Sequence, residues 1–262
     1  MKAVTVKVLA TAVLFQAATL AAAQAQVAVA LVGDDTLATV DVQSRKVTGT
    51  AKIAGAKLVG LDVRPADGML YALSADGQIW TVDPGTGKPT PKSKLDVSLP
   101  AGVAMTVDFN PVADRLRVIG SDGTNLRINV EDGKTTKDGT LKFAEGDMHK
   151  GETPKIVAGA YTNSMKGAKE TTLFDIDGTI GALIKQAPPN DGILNAVGKL
   201  GIKADAAAFD IITKPSGQSE GVLMAGDTLY MVDLASGKAT VHGKIQGVGA
   251  SGVRDIAVLP AM

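Results

Sequence analysis

Two stretches of the chain have the same length and the same pattern, and this internal repetition limits what the sequence can fold into. Residues 60–83 read "GLDVRPADGMLYALSADGQIWTVD", and residues 106–129 read "TVDFNPVADRLRVIGSDGTNLRIN". In the aligned copies Asp62 matches Asp108, and Pro65 matches Pro111. Such repetition is typical of proteins that place many copies of one unit side by side, because a single unit cannot bury its apolar faces alone.

Two phrases recur along the chain. One is a short apolar strand with a polar residue inside it, and its polar positions, spaced 45 to 53 residues apart, are Asp62, Asp108, Tyr161, Asp210 and Asp255. The other is a strand that ends in Asp or Asn before a tight turn, and it occurs at Asp41, Asp83, Asn129, Asp177 and Asp233. Because these short polar side chains can bond the backbone of a turn, each occurrence predicts a hairpin.

A repeat of this length with four short strands predicts a blade of a β-propeller. Segments such as "DRLRVIG" and "MLYALS" alternate with period two, which indicates strands, and no stretch between them reads as a helix. The first hairpin has no inner strand before it, and the last inner strand, "GVRDIAVLP", has no hairpin after it. We therefore predict an all-β, five-bladed propeller closed by pairing of its N- and C-terminal strands; a six-bladed ring and an open β-solenoid are the alternatives.

The N-terminal segment is typical of a secretory signal peptide. It carries Lys2 and Lys7, then an apolar run, then the small-residue site Ala23-Gln24-Ala25. This pattern predicts cleavage before Gln26 and export to the periplasm or the exterior. Residues 1–25 are then the leader, and residues 26–262 form a single propeller domain, expected to be a monomer without a membrane span.

The composition excludes several classes of function. The chain has 27 basic and 27 acidic residues, so nothing in its charge favours a nucleic acid or an anionic membrane as partner. It has no Cys and only two His, His149 and His242, which argues against a zinc site and against a Ser-His-Asp triad. Aromatic residues make up 3% of the chain, which is few for a sugar-binding cleft.

Several longer motifs resemble a known family. They are "LVGLDVRPADGMLYAL", "DFNPVADRLRVIGSDGTNLRIN", "DGTLKFAEGD", "AYTNS" and "QAPPNDGILNAVGKLG". Together they resemble the exported bacterial family known as domain of unknown function 4394 over nearly the whole mature chain. The resemblance implies a secreted β-propeller, and it brings no activity, ligand or catalytic residue with it.

Aspartates at equivalent inner-strand positions form the first candidate site. If Asp62, Asp108, Asp210 and Asp255 point into the central channel, their carboxylates form a ring at one height. Crowded carboxylates repel, and oxygen ligands of this kind suit a hard cation such as Ca²⁺. The competing interpretation, which repetition favours, is that each Asp bonds backbone N–H groups of the neighbouring blade. No cofactor is required on that interpretation.

Three arginines break the symmetry of the repeat and form the second candidate site. Arg115 and Arg117 share one face of a strand, and Arg127 lies on the next strand of the hairpin. Their partners are predicted to be Asp108, Asp114 and Asn163. The functional hypothesis is a pocket for a small anionic ligand between blades three and four, with contributions from Asn110, Asn125, Tyr161, Asn163 and Asn190. The alternative is an inter-blade salt-bridge network.

Two insertions, residues 143–155 and 185–192, flank blade four, and long loops on a rigid ring are where binding usually takes place. The face that bears them is therefore the predicted binding surface. The predicted role is non-catalytic: binding of a ligand or an envelope protein, or an envelope scaffold. The alternative is a metal-assisted hydrolase, lactonase-like or glycosidase-like, that uses the Asp ring around Ca²⁺.

Overall fold

The computed structural model describes residues 26–214, 216–248 and 252–260, and these residues form a five-bladed β-propeller. The predicted fold and blade number are thus confirmed. The predicted signal peptide, residues 1–25, lies outside the described residues. In the described part of the chain, no helix is both long and apolar enough to cross a membrane.

Each blade is a sheet of four antiparallel strands, and blade four adds a short fifth strand that pairs in parallel at its outer edge. Blade one contains β1 (Val27–Val32), β2 (Thr36–Asp41) and β3 (Lys46–Lys52). Blade two contains β4 (Leu58–Val63), β5 (Leu70–Ser74), β6 (Gln78–Val82) and β7 (Pro89–Lys94). Blade three contains β8 (Met105–Asn110), β9 (Arg115–Gly120), β10 (Asn125–Ile128) and β11 (Thr135–Lys137).

The remaining strands build blades four and five and complete blade one. Blade four contains β12 (Lys142–Phe143), β13 (Ile156–Tyr161), β14 (Leu173–Asp177), β15 (Ala182–Gln186) and β16 (Ile193–Lys199), with a short 3-10 helix at Pro189–Asp191. Blade five contains β17 (Ala208–Thr213), β18 (Ser219–Ala225), β19 (Thr228–Val232) and β20 (Ala239–Lys244). The last strand, β21 (Val253–Val258), is the inner strand of blade one.

The two ends of the chain close the ring as predicted. Strand β21 pairs antiparallel with β1, with Leu31 opposite Asp255 and Ala28 opposite Val258. The inner strands β21, β4, β8, β13 and β17 each pack against the next around the central axis. An apolar cluster fills each gap between neighbouring blades, so every blade buries both of its faces.

The recurrent Asp or Asn at the strand ends does hold a turn. Asp83 Oδ1, for example, accepts hydrogen bonds from the N–H groups of Gly85 and Thr86, and Gly87 follows with φ +71°. In the first hairpin, which has no glycine, Arg45 takes the equivalent left-handed conformation at φ +59°.

One of the five turns is not equivalent to the others. The turns at Asp41, Asp83, Asn129 and Asp233 join the third strand of a blade to its outermost strand. The turn at Asp177 instead joins β14 to β15, the second and third strands of blade four. In blade four, residues 187–192 join the third strand to the fourth. The prediction that Asp177 marks the same hairpin as the other four positions was therefore wrong.

The two insertions of blade four do not share one face. One follows the end of β15 at Gln186, which pairs with Leu173, next to the end of β13. The other starts beside it, where Phe143 pairs with Leu194, but it then runs to the beginning of β13, where the N–H of Lys155 donates to Asp177. The expectation of one binding face that carries both insertions was wrong, because most of the insertion before β13 extends to the other end of the blade.

Candidate functional site

The four inner-strand aspartates are bonded to the backbone of the next blade. Their carboxylates are nearly inaccessible, with residue exposures of 1 to 5%. The pairs are Asp62 with the N–H of Phe109 (2.7 Å), Asp108 with that of Tyr161 (3.0 Å), Asp210 with that of Val258, and Asp255 with that of Leu61 (3.0 Å). Each aspartate therefore links two adjacent blades. Blades four and five, where Tyr161 replaces Asp, are linked instead by the N–H of Asn163 and Thr213 Oγ1 at 3.0 Å.

Burial sets the protonation of this ring. It raises the pKa of Asp62 and of Asp108 well above the usual range, and repulsion from neighbouring carboxylates of the ring raises both further. Burial likewise raises the pKa of Asp255, and it raises the pKa of Asp210 to about 7. The donated N–H bonds lower these pKa values, but burial is the larger effect. Burial therefore favours the uncharged form of each of these carboxyls.

A metal in the ring stays a hypothesis. Within the described residues, no group of three or more His, Cys, Asp or Glu side chains is arranged to hold a metal ion. In Asp62, Asp210 and Asp255 both carboxylate oxygens already accept backbone N–H groups. A cation would therefore have to share oxygens that the architecture uses.

Arg117 is the centre of a polar network between blades three and four, which we call the arginine seam. Its side chain is 2% exposed and lies opposite Arg127 on the neighbouring strand. Arg117 Nη1 is 2.6 Å from Asp138 Oδ2, and Arg127 Nε donates to the same oxygen at 2.7 Å. Further bonds from Arg117 go to Tyr161 Oη (3.1 Å), Asn125 Oδ1 (2.7 Å) and Asn190 Oδ1 (2.8 Å). The network joins the two blades through a single guanidinium.

The predicted partners of the arginines were wrong, because another carboxylate takes their place. Asp138 was not among the sequence candidates; it directly follows β11, where the chain turns back toward Arg117. Asp114 pairs with Arg64 at 2.6 Å, and this contact lowers the pKa of Asp114. Asp108 bonds a backbone N–H, as described above.

The structure therefore divides the predicted ligand-binding set. Arg117, Arg127, Asn125, Tyr161 and Asn190 meet in the arginine seam. Arg115 lies outside it and donates to the backbone oxygens of Ala113 and Asp114. Asn110 Oδ1 caps its own turn, and Asn163 donates to the carbonyl of Glu170. An anionic ligand at the arginines stays a prediction, and such a ligand would have to displace protein partners to reach Arg117.

Blades three and four also contain buried side-chain atoms that have no hydrogen-bond partner. Asp175 on β14 is fully buried, and burial raises its pKa well above the usual range although Arg117 lowers it. In the described part of the chain, the buried side-chain atoms without a hydrogen-bond partner are Thr106 Oγ1, both carboxylate oxygens of Asp175, and Gln186 Oε1. All three residues belong to blades three and four. Sequence reasoning missed Asp175, which is hidden in the apolar strand "TLFDID".

A large cavity opens at one end of the central channel, where the inner strands end; we call it the channel mouth. Its volume is about 1130 Å³, which is ample for a drug-sized ligand. Asp62 and Asp210 lie among its lining residues, and its apolar lining includes Val63, Ile211 and Val258. A smaller cavity of about 440 Å³, lined by Lys57 and Arg254 among others, lies at the other end of the channel.

One long loop makes the channel mouth asymmetric. The connection between β13 and β14 contains residues 162–172, whereas the matching connections in blades two and three are residues 64–69 and 111–114. Ser164, Met165 and Lys166 of this loop line the cavity. The sequence analysis missed these residues, although the greater distance between "AYTNS" and "TLFDID" than between the corresponding strands of the other copies could have shown the insertion.

A comparison with protein-family models identifies the family of this chain. The family model described as domain of unknown function (DUF4394) matches residues 15–257. The chain belongs to this family. The resemblance inferred from the motifs is therefore confirmed, and the DUF4394 match spans all five blades. A search of curated protein sequences finds no match.

Among solved structures, matches to this chain are found at low sequence identity. A protein of unknown function from Bacteroides thetaiotaomicron VPI-5482 is 14% identical, covers 92% of this chain and 68% of its own, and has a TM-score of 0.54. A protein of unknown function from Bacteroides caccae is 13% identical, covers 90% of this chain and 99% of its own, and has a TM-score of 0.46. An auxiliary nutrient binding protein from B. thetaiotaomicron is 13% identical, covers 86% of this chain and 57% of its own, and has a TM-score of 0.44. The likeness to the first of these structures concerns the fold alone.

Proposed function

We propose that this DUF4394 protein is an exported, non-catalytic binding protein that holds a small ligand in the channel mouth. The observation that carries the proposal is the cavity of about 1130 Å³ at the end of a rigid, closed ring. Binding sites concentrate on loops that a rigid scaffold positions, and the mouth is formed by such loops. The leader-like sequence of residues 1–25 supports export.

The chemistry of the aspartates favours binding over catalysis. A catalytic carboxylate needs access to substrate and freedom to exchange a proton. Asp62 and Asp210 are only 5% and 4% exposed, and every one of their oxygens accepts a backbone N–H. Because these contacts hold neighbouring blades together, the carboxyls form a fixed polar surface at the base of the cavity, beneath the ligand.

A neutral fluorescent probe tests whether the mouth binds apolar molecules. The mature chain is titrated with N-phenyl-1-naphthylamine after removal of any purification tag, because Gln26 and Pro260 both line the cavity. We expect saturable binding with one site per chain. Ser164→Trp, which places a large ring in the mouth, should abolish it. Ser98→Trp, beside a separate groove, is the matched control and should retain it.

Melting temperatures of both variants are measured first, so that loss of fold is not read as loss of binding. Absence of saturable probe binding to the folded wild-type chain would overturn the proposal. So would equal binding by the wild type and Ser164→Trp, because the probe would then occupy another surface.

A further inference from the structure

Charge at the channel mouth indicates what kind of ligand end group it recognises. The charged residues among its lining are Asp62, Lys166, Asp210 and Lys214. The two aspartates lie at the floor of the cavity, where burial raises their pKa values and so favours the uncharged carboxyl. The positive charge is at the rim, since both lysines lie on loops that follow inner strands.

The two lysines differ in their surroundings. Lys214 Nζ lies 2.8 Å from Glu220 Oε2, so its charge has a partner. Lys166 is exposed, and among the described residues no ion pair includes it. It belongs to the long β13–β14 loop, next to Met165, whose side chain is also substantially exposed. The loop therefore presents one apolar side chain and one cation toward the same cavity.

Resting on the proposed function, we infer that the ligand of the channel mouth is an anionic amphiphile, with its apolar body against Ile211 and Val258 and its anionic end group bound by Lys166. An ammonium group binds carboxylate, sulfonate or phosphate through charge-assisted hydrogen bonds, which are stronger than neutral ones. A cationic ligand fits less well, because it would have to pass Lys166, and because burial disfavours the ionised form of the carboxyls that would attract it.

A matched pair of probes separates recognition of the anion from binding of the apolar body. 8-Anilinonaphthalene-1-sulfonate has the same rings as N-phenyl-1-naphthylamine and adds one sulfonate. We expect Lys166→Gln to weaken binding of the sulfonate probe about tenfold, the loss of one charge-assisted bond, and to change binding of the neutral probe less than twofold. Lys166→Arg should restore most of the affinity, since it keeps the charge.

Lys169→Gln is the matched control, because Lys169 lies on the same exposed loop and does not line the cavity. It should leave both affinities unchanged. If Lys166→Gln weakens both probes equally, or neither, the inference is wrong while binding of the neutral probe still supports the proposed function. If neither probe binds the wild type, the proposed function itself fails. Equal losses in Lys166→Gln and Lys169→Gln would indicate a diffuse loop charge and would also overturn the assignment to Lys166.

Discussion

Asp255 Oδ2 accepts a hydrogen bond from the N–H of Leu61 at 3.0 Å, although 194 positions separate the two residues in the chain. Asp255 lies on the last strand and Leu61 on the first strand of blade two, so this bond fastens the closed blade one to its neighbour. The same type of contact recurs at Asp62, Asp108 and Asp210. Each inner-strand aspartate thus accepts a hydrogen bond from a buried backbone N–H group of the neighbouring blade. The strands of that neighbouring blade cannot themselves supply a partner for this N–H group.

Substitution of Gly60 tests this closure. A methyl group at Gly60 would lie 2.6 Å from Asp255 Oδ2 and 2.9 Å from Val107 Cγ2, so Gly60→Ala must displace the carboxylate or the inner strand. We expect a loss of about 1–3 kcal/mol in the free energy of unfolding, measured by urea denaturation. Gly49→Ala is the control, since nothing lies within 4 Å of a methyl group there. Equal stabilities of the two variants would contradict the close packing at Asp255.

Arg117 offers a second test, of the arginine seam. Removing its guanidinium leaves Tyr161, Asn125 and Asn190 with unused polar atoms and leaves Asp138 paired with Arg127 alone. We therefore expect Arg117→Met to lower the free energy of unfolding by about 3–5 kcal/mol. Arg115→Met, two residues away, loses only contacts to backbone oxygens and should change it by about 0.5 kcal/mol or less. Urea denaturation of the pair measures both, and similar losses would show that Arg117 is not a structural centre.

The propeller ring could be predicted well from the sequence, because the features that produce it are local and recur from blade to blade. Alternation of apolar residues marks the strands, and the turn aspartates mark the hairpins, so the five inner strands and the closure by the chain ends could be found. Departures from the repeat were harder to interpret. Asp177 carries the turn pattern yet joins different strands, because the turn chemistry does not reveal which strands it connects.

The site was predicted less well, because side-chain partners depend on how blades twist against one another. Asp138 is distant from Arg117 in the sequence pattern and shares no strand with it, yet it is the carboxylate that Arg117 contacts. Asp175 lies in an apolar strand and reads as an ordinary core position. The cavity at the mouth arises from a loop insertion, which shows in the sequence only as a change in spacing.

Chelation tests the remaining hypothesis of a metal in the Asp ring. Because the ring oxygens are already engaged by backbone N–H groups, we expect the purified protein to contain less than about 0.1 equivalent of divalent metal. For the same reason EDTA or millimolar Ca²⁺ should shift the melting temperature by less than about 1 °C, since a ligand that binds only the folded state would raise it. Elemental analysis and thermal melts measure these quantities. A stoichiometric ion whose removal lowers the melting temperature would support the metal-assisted hydrolase instead.

The buried aspartates predict a specific dependence of stability on pH. An Asp whose pKa is raised on folding keeps its proton in the folded state at pH values where the unfolded chain has lost it, so stability falls as pH rises through that window. For Asp210 the window runs from the ordinary value of 3.8 to about 7, and the pKa values of Asp62, Asp108, Asp175 and Asp255 are also raised. Each proton held only by the folded state lowers the free energy of unfolding by about 1.4 kcal/mol per pH unit.

We therefore expect the free energy of unfolding, measured by urea denaturation at several pH values, to decrease from pH 5 to pH 7. Asp210→Asn should flatten this slope by roughly one proton, whatever it does to the absolute stability. Asp205→Asn is the control. Asp205 is exposed, and its hydrogen bond to Lys203 lowers its pKa. The contribution of Asp205 to the free energy of unfolding is therefore lost only at pH values below the range from pH 5 to pH 7, and Asp205→Asn should leave the slope in that range unchanged. A wild-type stability that is flat or rises from pH 5 to pH 7 would show that the ring carboxyls are ionised in the folded protein. A cation or bound solvent would then have to compensate their charge.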